Sequence, residues 1–381
     1  MNFNKDSCLN VVVAPDSFKG SLTSIQASEI MKKAIIEIMP LSKVTLKPMA
    51  DGGEGTIQSL LTSTAGESIA ITCTGPLGEK IDTTYALVNS TTAMIECAKV
   101  VGLTQVPTAK RNPDYTTSYG LGEIMVDALN RGCISFVIGL GGSATNDGGI
   151  GMLQALGMQA WDQHGDEVGP FGKGIHKIAS VSFEKIDKRL LKANIKVACD
   201  VDNPLSGERG ATVVYGPQKG ATKAQIIQYD ASLVLYADLI EAEINQSLRD
   251  IPGAGAAGGL GFAFLALGAN LVSGAALLAE AINVEEAIKG ADLVITGEGQ
   301  SDEQTLFGKA PGYIATLANK HNVPVVLISG SLAGDLDKLR KRFSGCFSII
   351  NKPMTVEACM EKAEELLYEQ SKQIIHLLIR H

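Results

Sequence analysis

The chain has 381 residues, more than the ~250–300 at which one hydrophobic core stops growing, so two domains are expected. Hydrophobic residues make up 45% and charged residues 19% of the chain, which is ordinary for a globular enzyme and argues against a disordered chain. The formal net charge is −8 and no run of Lys and Arg occurs, so no nucleic-acid partner is predicted. An anionic substrate would need locally placed cations.

The cysteines and the first residues predict a cytoplasmic protein. Seven cysteines are scattered without a C-x-x-C spacing, which indicates reduced thiols. The first fifteen residues show no apolar run followed by a small-residue cleavage site, so no signal peptide is expected. Residues 251–279 carry no charge and are long enough to cross a membrane, but Pro252 and seven glycines favour close packing in a soluble core. No membrane contact is predicted.

Strand and helix patterns alternate along the chain. Residues 9–14 form an apolar, β-branched run, and residues 24–39 repeat apolar side chains at helical spacing. Thr23 and Gln26 have the spacing of a capping box, and Pro40 closes the helix. Further buried strands, mostly followed by glycine-rich or acidic loops and then a helical pattern, are predicted at 136–139, 197–199, 293–296 and 325–329. The alternation predicts an α/β fold with a mainly parallel sheet.

One stretch has a different pattern. Residues 71–73, 83–88 and 94–97 are short strand-like pieces joined by polar turns. They predict a second domain with a mixed sheet, inserted into the first. The last stretch, residues 355–380, is predicted to be one amphipathic helix.

Polar loops follow several predicted strands, at the edge where parallel sheets bind ligands. The loop 139–149 combines glycine with Ser and Thr, the composition of a backbone phosphate cradle. The alternative is a tight turn that needs glycine only for positive φ. Gly139 to Ala144 also fits the dinucleotide pattern G-x-G-x-x-A, whereas no G-x-x-x-x-G-K-[ST] occurs.

Asp200 and Asp202 follow a predicted strand two residues apart, so their carboxylates could share one face and hold Mg²⁺ or orient a hydroxyl. The alternative for Asp202 is a turn ahead of Pro204. Lys19 and Lys219 lie in glycine-flanked loops and are candidate anion binders, although isolated lysines are usually solvated. With the other loop acids, these residues suggest metal-assisted phosphoryl transfer; the further acids are Asp51, Glu54, Asp147, Glu298 and Asp302.

Zinc enzymes and serine hydrolases are not supported. The five histidines form no close pair, and no G-x-S-x-G is present.

The loops resemble those of the bacterial glycerate kinases of glycerate, glyoxylate and glucarate catabolism. The match runs in order through Ala-Pro-Asp-Ser-Phe-Lys-Gly-Ser at 14–21 and on through 49–56, 74–78, 138–149, 198–205, 216–221, 252–261 and 295–299. The resemblance implies an ATP-dependent kinase that converts (R)-glycerate, commonly to 2-phosphoglycerate. It also implies a flavodoxin-like domain, placed at 1–66 plus 287–381, and a mixed α/β domain at 67–286, with the active site in the cleft between them.

The resemblance further implies roles for individual residues. Lys19 would neutralise the substrate carboxylate, and the glycerate side would comprise Asp16, Ser17, Lys19, Asp51 and Glu298. Asp200 and Asp202 would hold Mg²⁺ or accept the hydroxyl proton. The ATP phosphates would face Gly141, Gly142, Ser143, Thr145, Asn146, Asp147 and Lys219. The family often has Arg after Gly-Glu-Gly, where this chain has Gln300 and Ser301, so a phosphate contact by that arginine would be absent or supplied elsewhere.

Two other classes of function stay open at this stage. An NAD(P)-dependent oxidoreductase would use the loop at Gly139 and need an acid about 20 residues later at a second strand end, whereas Asp162 follows what looks like a helix and a turn. A non-catalytic sugar-acid binding protein would bind glycerate without forming ADP. The oligomeric state, a homodimer included, and the choice between positions 2 and 3 of glycerate also stay open.

Overall fold

The computed structural model describes residues 8–49, 66–306 and 308–379. Asp51 and Glu54, two of the predicted loop acids, lie outside these residues. The chain divides into two compact units, the first containing the described residues up to 49 and from 274 onward, and the second those from 66 to 273. The sequence placed the later boundary at 286; in the structure, residues 274–286 belong to the first unit.

The first unit contains a five-stranded sheet in which every strand is parallel to its neighbours. Strands are numbered along the whole chain, and those of this sheet are β1 (Asn10–Val13), β2 (Lys43–Leu46), β11 (Leu293–Ser301), β12 (Val325–Leu332) and β13 (Gly345–Ser348). Their spatial order is β2-β1-β11-β12-β13. Counted within the unit this is 2-1-3-4-5, the flavodoxin-like order, in which ligands bind where the strand order reverses, beside β1 and β11.

Helix α1 (Ser24–Ile38) shows how the sequence specifies this unit. The predicted capping box is present, since the Gln26 amide donates to Thr23 Oγ1 at 3.2 Å and the Thr23 amide donates to Gln26 Oε1 at 2.9 Å. The apolar face of α1 joins one core with the last helix. The unit's other helices are α8 (Gly274–Ala281), α9 (Val284–Lys289), α10 (Ala310–Lys320), α11 (Leu336–Arg340), α12 (Val356–Glu361) and α13 (Ala363–Ile379).

The prediction of one helix over 355–380 was wrong. The structure has two helices, α12 and α13, because Lys362 takes φ −103° and ψ 12° and ends α12. Of these two helices, α13 contributes described residues to the core, among them Leu367 and Ile374, whereas α12 contributes none.

The second unit has a mixed sheet, as predicted, with strand order β10-β9-β6-β5-β4-β3. β3 and β4 pair antiparallel, as do β4 and β5, whereas β5, β6, β9 and β10 are parallel neighbours. The strands are β3 (Glu67–Thr74), β4 (Lys80–Val88), β5 (Thr92–Glu96), β6 (Ser135–Gly139), β9 (Asn194–Ala198) and β10 (Asn270–Val272). β7 (Gln159–Asp162) and β8 (Ile178–Ser182) form a separate antiparallel pair.

The glycine-rich, uncharged run at 251–279 folds into short elements. It contains α7 (Ala256–Ala266), then β10, then the start of α8. No helix among the described residues is both long and apolar enough to cross a bilayer. The other helices of the second unit are α2 (Cys97–Val100), α3 (Tyr119–Asn130), α4 (Ile150–Ala155), α5 (Ala211–Tyr215) and α6 (Lys223–Ile244).

The start of α7 supports the loop that follows β6. Gly258 has φ +73°, and a Cβ there would lie 2.2 Å from the carbonyl oxygen of Thr145. Its own carbonyl accepts a hydrogen bond from the Gly148 amide at 2.9 Å. The glycine is therefore needed both for its backbone conformation and for the close approach of two backbone segments.

We expect Gly258→Ala to destabilise the protein more than the control Gly268→Ala. Both glycines have positive φ, +73° and +79°, but nothing lies within 4 Å of a Cβ at Gly268. The control carries only the left-handed conformation cost of about 1–2 kcal/mol, and Gly258→Ala adds the overlap with Thr145. Urea unfolding measures both. Equal losses of unfolding free energy would show that the close approach does not constrain the loop.

Candidate active site

In the second unit, three parallel strands end beside one another. Gly139, the last residue of β6, is in register with Glu96 of β5 and with Ala198 of β9. The loop 139–149 and the Asp200 segment therefore start from neighbouring strand ends. The sequence predicted a strand before each of them, but not that the two strands are neighbours. This edge is where parallel α/β sheets bind ligands.

The loop after β6 exposes backbone and buries polar side chains. Gly141 and Gly142 are exposed, Ser143 is 6% exposed, and Thr145 and Asn146 are fully buried. Gly142 has φ +72°, a conformation that glycine adopts at little cost. The part of the loop that a ligand could reach is thus mainly backbone, the arrangement that a phosphate cradle uses.

Lys219 is 2% exposed and supports this loop from inside. Its ammonium donates to the carbonyl oxygen of Thr145 at 2.6 Å and to Ser143 Oγ at 3.2 Å. Burial lowers the pKa of Lys219 to about 8, while the nearby Asp147 carboxylate acts in the opposite direction. Any influence of this lysine on a bound phosphate is therefore expected to act through the loop and through its buried charge.

Asp147 is fully buried at the end of the same loop. It accepts hydrogen bonds from the Ser118 amide at 2.7 Å and hydroxyl at 2.6 Å, and from the Gly149 amide at 3.1 Å. Burial raises the pKa of Asp147, and these hydrogen bonds oppose the shift. The Ser118 hydroxyl also accepts from the Met152 amide at 2.9 Å, so Asp147 fixes the turn into α4.

Two buried oxygens of the loop have no hydrogen-bond partner in the described structure, Thr145 Oγ1 and Asn146 Oδ1. The amide nitrogen of the Asn146 side chain donates to Thr212 Oγ1 at 2.9 Å, which fixes the orientation of that side chain. Buried polar atoms in folded proteins are usually hydrogen-bonded. These two oxygens are the loop's spare acceptors for an ordered water or a bound group.

Asp200 and Asp202 are both exposed. Asp202 accepts a hydrogen bond from the Arg209 guanidinium at 2.7 Å, which lowers the pKa of its carboxyl group. The turn ahead of Pro204 is held by buried Asn203, whose amide donates to the Arg209 carbonyl and whose oxygen accepts from Tyr215. Among the described residues, no three side chains of His, Cys, Asp or Glu lie together as a metal site.

In the first unit, the N-terminal loop lies at the point where the strand order reverses. The Asp16 amide donates to the Gly297 carbonyl at 2.7 Å, and the Ser17 amide donates to Asp16 Oδ1 at 2.6 Å. A Cβ at Gly299 would lie 3.1 Å from the backbone nitrogen of Lys19. The structure thus places the predicted residues Asp16, Ser17 and Lys19 beside β11, and the Lys19 side chain is exposed.

Glu298 anchors a polar cluster at the same edge. It is 7% exposed, and its Oε1 accepts hydrogen bonds from Ser301 at 2.9 Å and from Thr305 at 2.6 Å. The Ser301 hydroxyl is 2.6 Å from the Ser329 hydroxyl, on the neighbouring strand. The ammonium of Lys309, at the start of α10, lies 3.6 Å from Glu298 Oε2.

Several residues of both sites were missed by the sequence reasoning. Glu96 is 2% exposed at its strand end and lies 3.6 Å from Lys99, and Ser118 binds Asp147. For Lys309 the sequence did contain a signal of a position at the start of a helix, since this lysine follows a glycine and precedes Ala-Pro. The partners of Glu96 and Ser118 are set by tertiary packing, which no local pattern indicates.

The topology does not support the dinucleotide alternative. The strand after α4 is β7, which pairs with β8 and, within the described part of the chain, lies outside the six-stranded sheet. Asp162 ends this strand, where it accepts from the amides of His164 and Asp166 in its own turn. A dinucleotide site needs that acid on the neighbouring parallel strand.

A flavodoxin-like unit with a charged reversal point, and a mixed unit with a glycine loop at its strand ends, are features of an α/β phosphotransferase. A protein-family model described as the glycerate kinase family matches residues 11–379. The chain is 43% identical to a glycerate kinase of Halalkalibacterium halodurans over 96% of this chain and 97% of that one. It is 41% identical to glycerate 2-kinase of Escherichia coli, with the same coverage.

A crystal structure of a protein assigned as glycerate kinase 2 from Salmonella typhimurium LT2 has the same fold. Its TM-score is 0.88, with 40% sequence identity and 98% of each chain covered. The chain therefore belongs to the glycerate kinase family, and it is an enzyme of the kinase class. The resemblance found in the loops is confirmed.

The buried ammonium of Lys219 predicts a pH-dependent stability. Its pKa is about 8 in the folded protein and 10.5 as the ordinary value, so between these pH values the unfolded chain binds more protons and stability rises with pH. Lys219→Met removes this titration. We expect the unfolding free energy of the wild type, relative to the variant, to rise by up to about 3 kcal/mol from pH 8 to 10.5. Urea unfolding across that range checks this, and parallel pH profiles would contradict it.

Proposed function

We propose that the protein transfers the terminal phosphoryl group of MgATP to the 2-hydroxyl of (R)-glycerate and forms 2-phosphoglycerate. The observation that carries the proposal is the loop 139–149, which presents exposed Gly141 and Gly142 at a parallel strand end above the buried Lys219 ammonium. Family membership supports the reaction, and the name of the Escherichia coli relative supports position 2.

The ATP phosphates would be bound on the second unit. In this proposal Gly141 and Gly142 offer backbone N–H groups, and Ser143 offers a hydroxyl. Lys219 supplies positive charge from the buried side of the loop. The loop conformation is maintained by three buried residues, Thr145, Asn146 and Asp147. Preorganised donors around a transferring phosphoryl group provide most of the catalysis in such reactions, because the protein forms little covalent chemistry with it.

Glycerate would be bound on the first unit. Asp16 and Ser17 lie at the reversal point and can bind hydroxyl groups, while Lys19 is exposed there and can pair with the substrate carboxylate. Glu298 lies at the same edge with its Oε1 already bonded to two hydroxyls. Asp51 belongs to the proposal from the sequence alone.

Asp200 and Asp202 would hold Mg²⁺ and accept the hydroxyl proton. Magnesium is usually bound by one or two carboxylates together with substrate phosphates and waters, so an exposed pair at a strand end suits it. When bound, the ion would neutralise charge on the transferring group. Because Arg209 lowers the pKa of Asp202, that carboxylate stays ionised, as a metal ligand must be, and the base role is assigned to the other member of the pair, Asp200.

The cellular location follows from the same proposal. All seven cysteines are free thiols, three of them buried, which suits a reducing compartment. A cytoplasmic location would also provide ATP.

A coupled ADP-release assay tests the reaction. We expect ADP formation with (R)-glycerate, loss of activity with a chelator, and little activity with glycerol or hexoses, because the proposed site needs an anionic group near Lys19. Binding of glycerate without ADP formation would favour the non-catalytic alternative. Activity unchanged by the chelator, or higher with hexoses, would contradict the proposed substrate class.

The roles of Asp200 and Asp202 can be separated with Asn variants. Removing a general base typically lowers kcat by about 10²–10⁴-fold; we expect this for Asp200→Asn, without recovery at high Mg²⁺. Asp202→Asn should recover partly at high Mg²⁺, because a weakened metal site fills again. Glu208→Gln, an exposed change in the same segment, is the control. If both Asn variants keep near-normal kcat at modest Mg²⁺, the base and the metal ligands lie elsewhere.

A further inference from the structure

Lys309 lies at the ligand-binding edge of the first unit's sheet without having been assigned a role. It precedes the first residue of α10, and its side chain is 39% exposed. Its ammonium lies 3.6 Å from Glu298 Oε2, and Glu298 lies on β11, one of the two strands beside the reversal point. The lysine is therefore held at that edge while part of it remains accessible to a ligand.

Glu298 is held rigidly enough to position this lysine. Its Oε1 accepts from the hydroxyls of Ser301 and Thr305, and the Ser301 hydroxyl also contacts that of Ser329. All three hydroxyl-bearing residues are fully buried. A carboxylate fixed by two hydrogen bonds leaves its second oxygen aimed in a constant direction, and that oxygen faces Lys309.

The Lys309–Glu298 pair differs from ordinary surface pairs of the same unit. Lys338 lies 2.8 Å from Glu303 and Lys320 lies 2.7 Å from Glu285, and all four of those side chains are at least 37% exposed. In the Lys309–Glu298 pair the carboxylate is 9% exposed, and the distance from Lys309 Nζ to Glu298 Oε2 is 3.6 Å, which is beyond the hydrogen-bond range for N–H···O. The ammonium of Lys309 thus makes no direct hydrogen bond to this carboxylate.

Local charge favours an anion-binding role. An anionic substrate at this edge would meet the carboxylates of Asp16 and Glu298, and like charges at short range repel it. Lys309 lies 3.6 Å from the nearly buried Glu298 carboxylate and is itself 39% exposed, so it can neutralise that carboxylate and bind an oxyanion through its exposed part. Lys19 supplies a second cation in the neighbouring loop.

We propose that Lys309 is an oxyanion-binding residue of the first unit's site, and that Glu298 is its positioning residue. The ligand is a carboxylate or phosphate oxygen of one of the two substrates. The inference rests on the proposed function for the identity of these substrates, whereas the anion-binding chemistry follows from the cluster itself.

A purely structural role makes a different prediction. A buried carboxylate left without its cation is costly, so Lys309→Met would then lower the melting temperature and leave substrate binding unchanged, and Glu298→Gln in the same chain would restore the melting temperature. An oxyanion-binding role predicts that the double variant stays weak in substrate binding even where its melting temperature recovers.

The experiment compares the wild type, Lys309→Met, Lys309→Arg and the Lys309→Met/Glu298→Gln double variant, with Lys338→Met as a control that breaks an exposed pair of the same unit. Calorimetric titration with glycerate and, separately, with a non-hydrolysable ATP analogue measures binding without turnover, and steady-state assays give both KM values. A hydrogen bond between a charged donor and a charged acceptor contributes substantially to the binding free energy. We therefore expect about tenfold to hundredfold weaker binding of one ligand in both variants that carry Lys309→Met. Lys309→Arg should retain part of the affinity.

Weaker binding of glycerate alone assigns the oxyanion as the substrate carboxylate, and weaker binding of the ATP analogue alone assigns it as phosphate. Unchanged dissociation constants for both ligands in Lys309→Met would overturn the inference, as would binding that recovers fully in the double variant. A wild type that binds these ligands but releases no ADP contradicts the proposed reaction and leaves the Lys309 comparison intact.

Discussion

Charges buried beside strand ends must be compensated within a few ångströms, and this requirement organises both candidate sites. Isolated buried ions are too costly to retain without partners. In the second unit, the Lys219 ammonium donates to a loop carbonyl and the Asp147 carboxylate accepts three hydrogen bonds around Ser118. In the first unit, Glu298 is bonded to two buried hydroxyls and faces Lys309. Each set of bonds fixes a loop or side chain at the edge where substrates are expected.

In each unit the candidate site lies at the carboxyl ends of the unit's own parallel strands, but the charged groups are arranged differently there. The second unit buries its charged groups behind a loop, so that glycine backbone is what remains exposed. The first unit keeps its lysines partly accessible, Lys19 in the loop after β1 and Lys309 before α10. Backbone N–H groups suit the spread charge of phosphates, whereas a lysine is a compact point charge that suits a single carboxylate or phosphate oxygen. The proposed assignment of the ATP phosphates to the second unit and of glycerate to the first is based on this difference.

Local signals let the sequence predict much of this fold. The Thr23–Gln26 capping box and the apolar spacing of α1 are local, and so are the apolar runs that became β6, β9, β11 and β12. The division of the last stretch at Lys362 was missed because its residues are compatible with one helix. The positions of the loops could be predicted, but the burial of Thr145 and Asn146 could not, since a loop has no side-chain period. Pairs such as Asp147 with Ser118, 29 residues apart, depend on tertiary packing.

Direct observation of the phosphorylated product tests the proposed reaction and its position on glycerate. The protein would be incubated with ATP, Mg²⁺ and (R)-glycerate carrying ¹³C at position 2, and the product examined by phosphorus and carbon NMR. We expect a single new phosphate ester whose phosphorus couples to the one proton on the labelled carbon, which is 2-phosphoglycerate; in 3-phosphoglycerate the phosphorus would couple instead to the two protons at position 3. A product esterified at position 3 would contradict the proposed position, and the absence of any glycerate phosphate would contradict the proposed reaction.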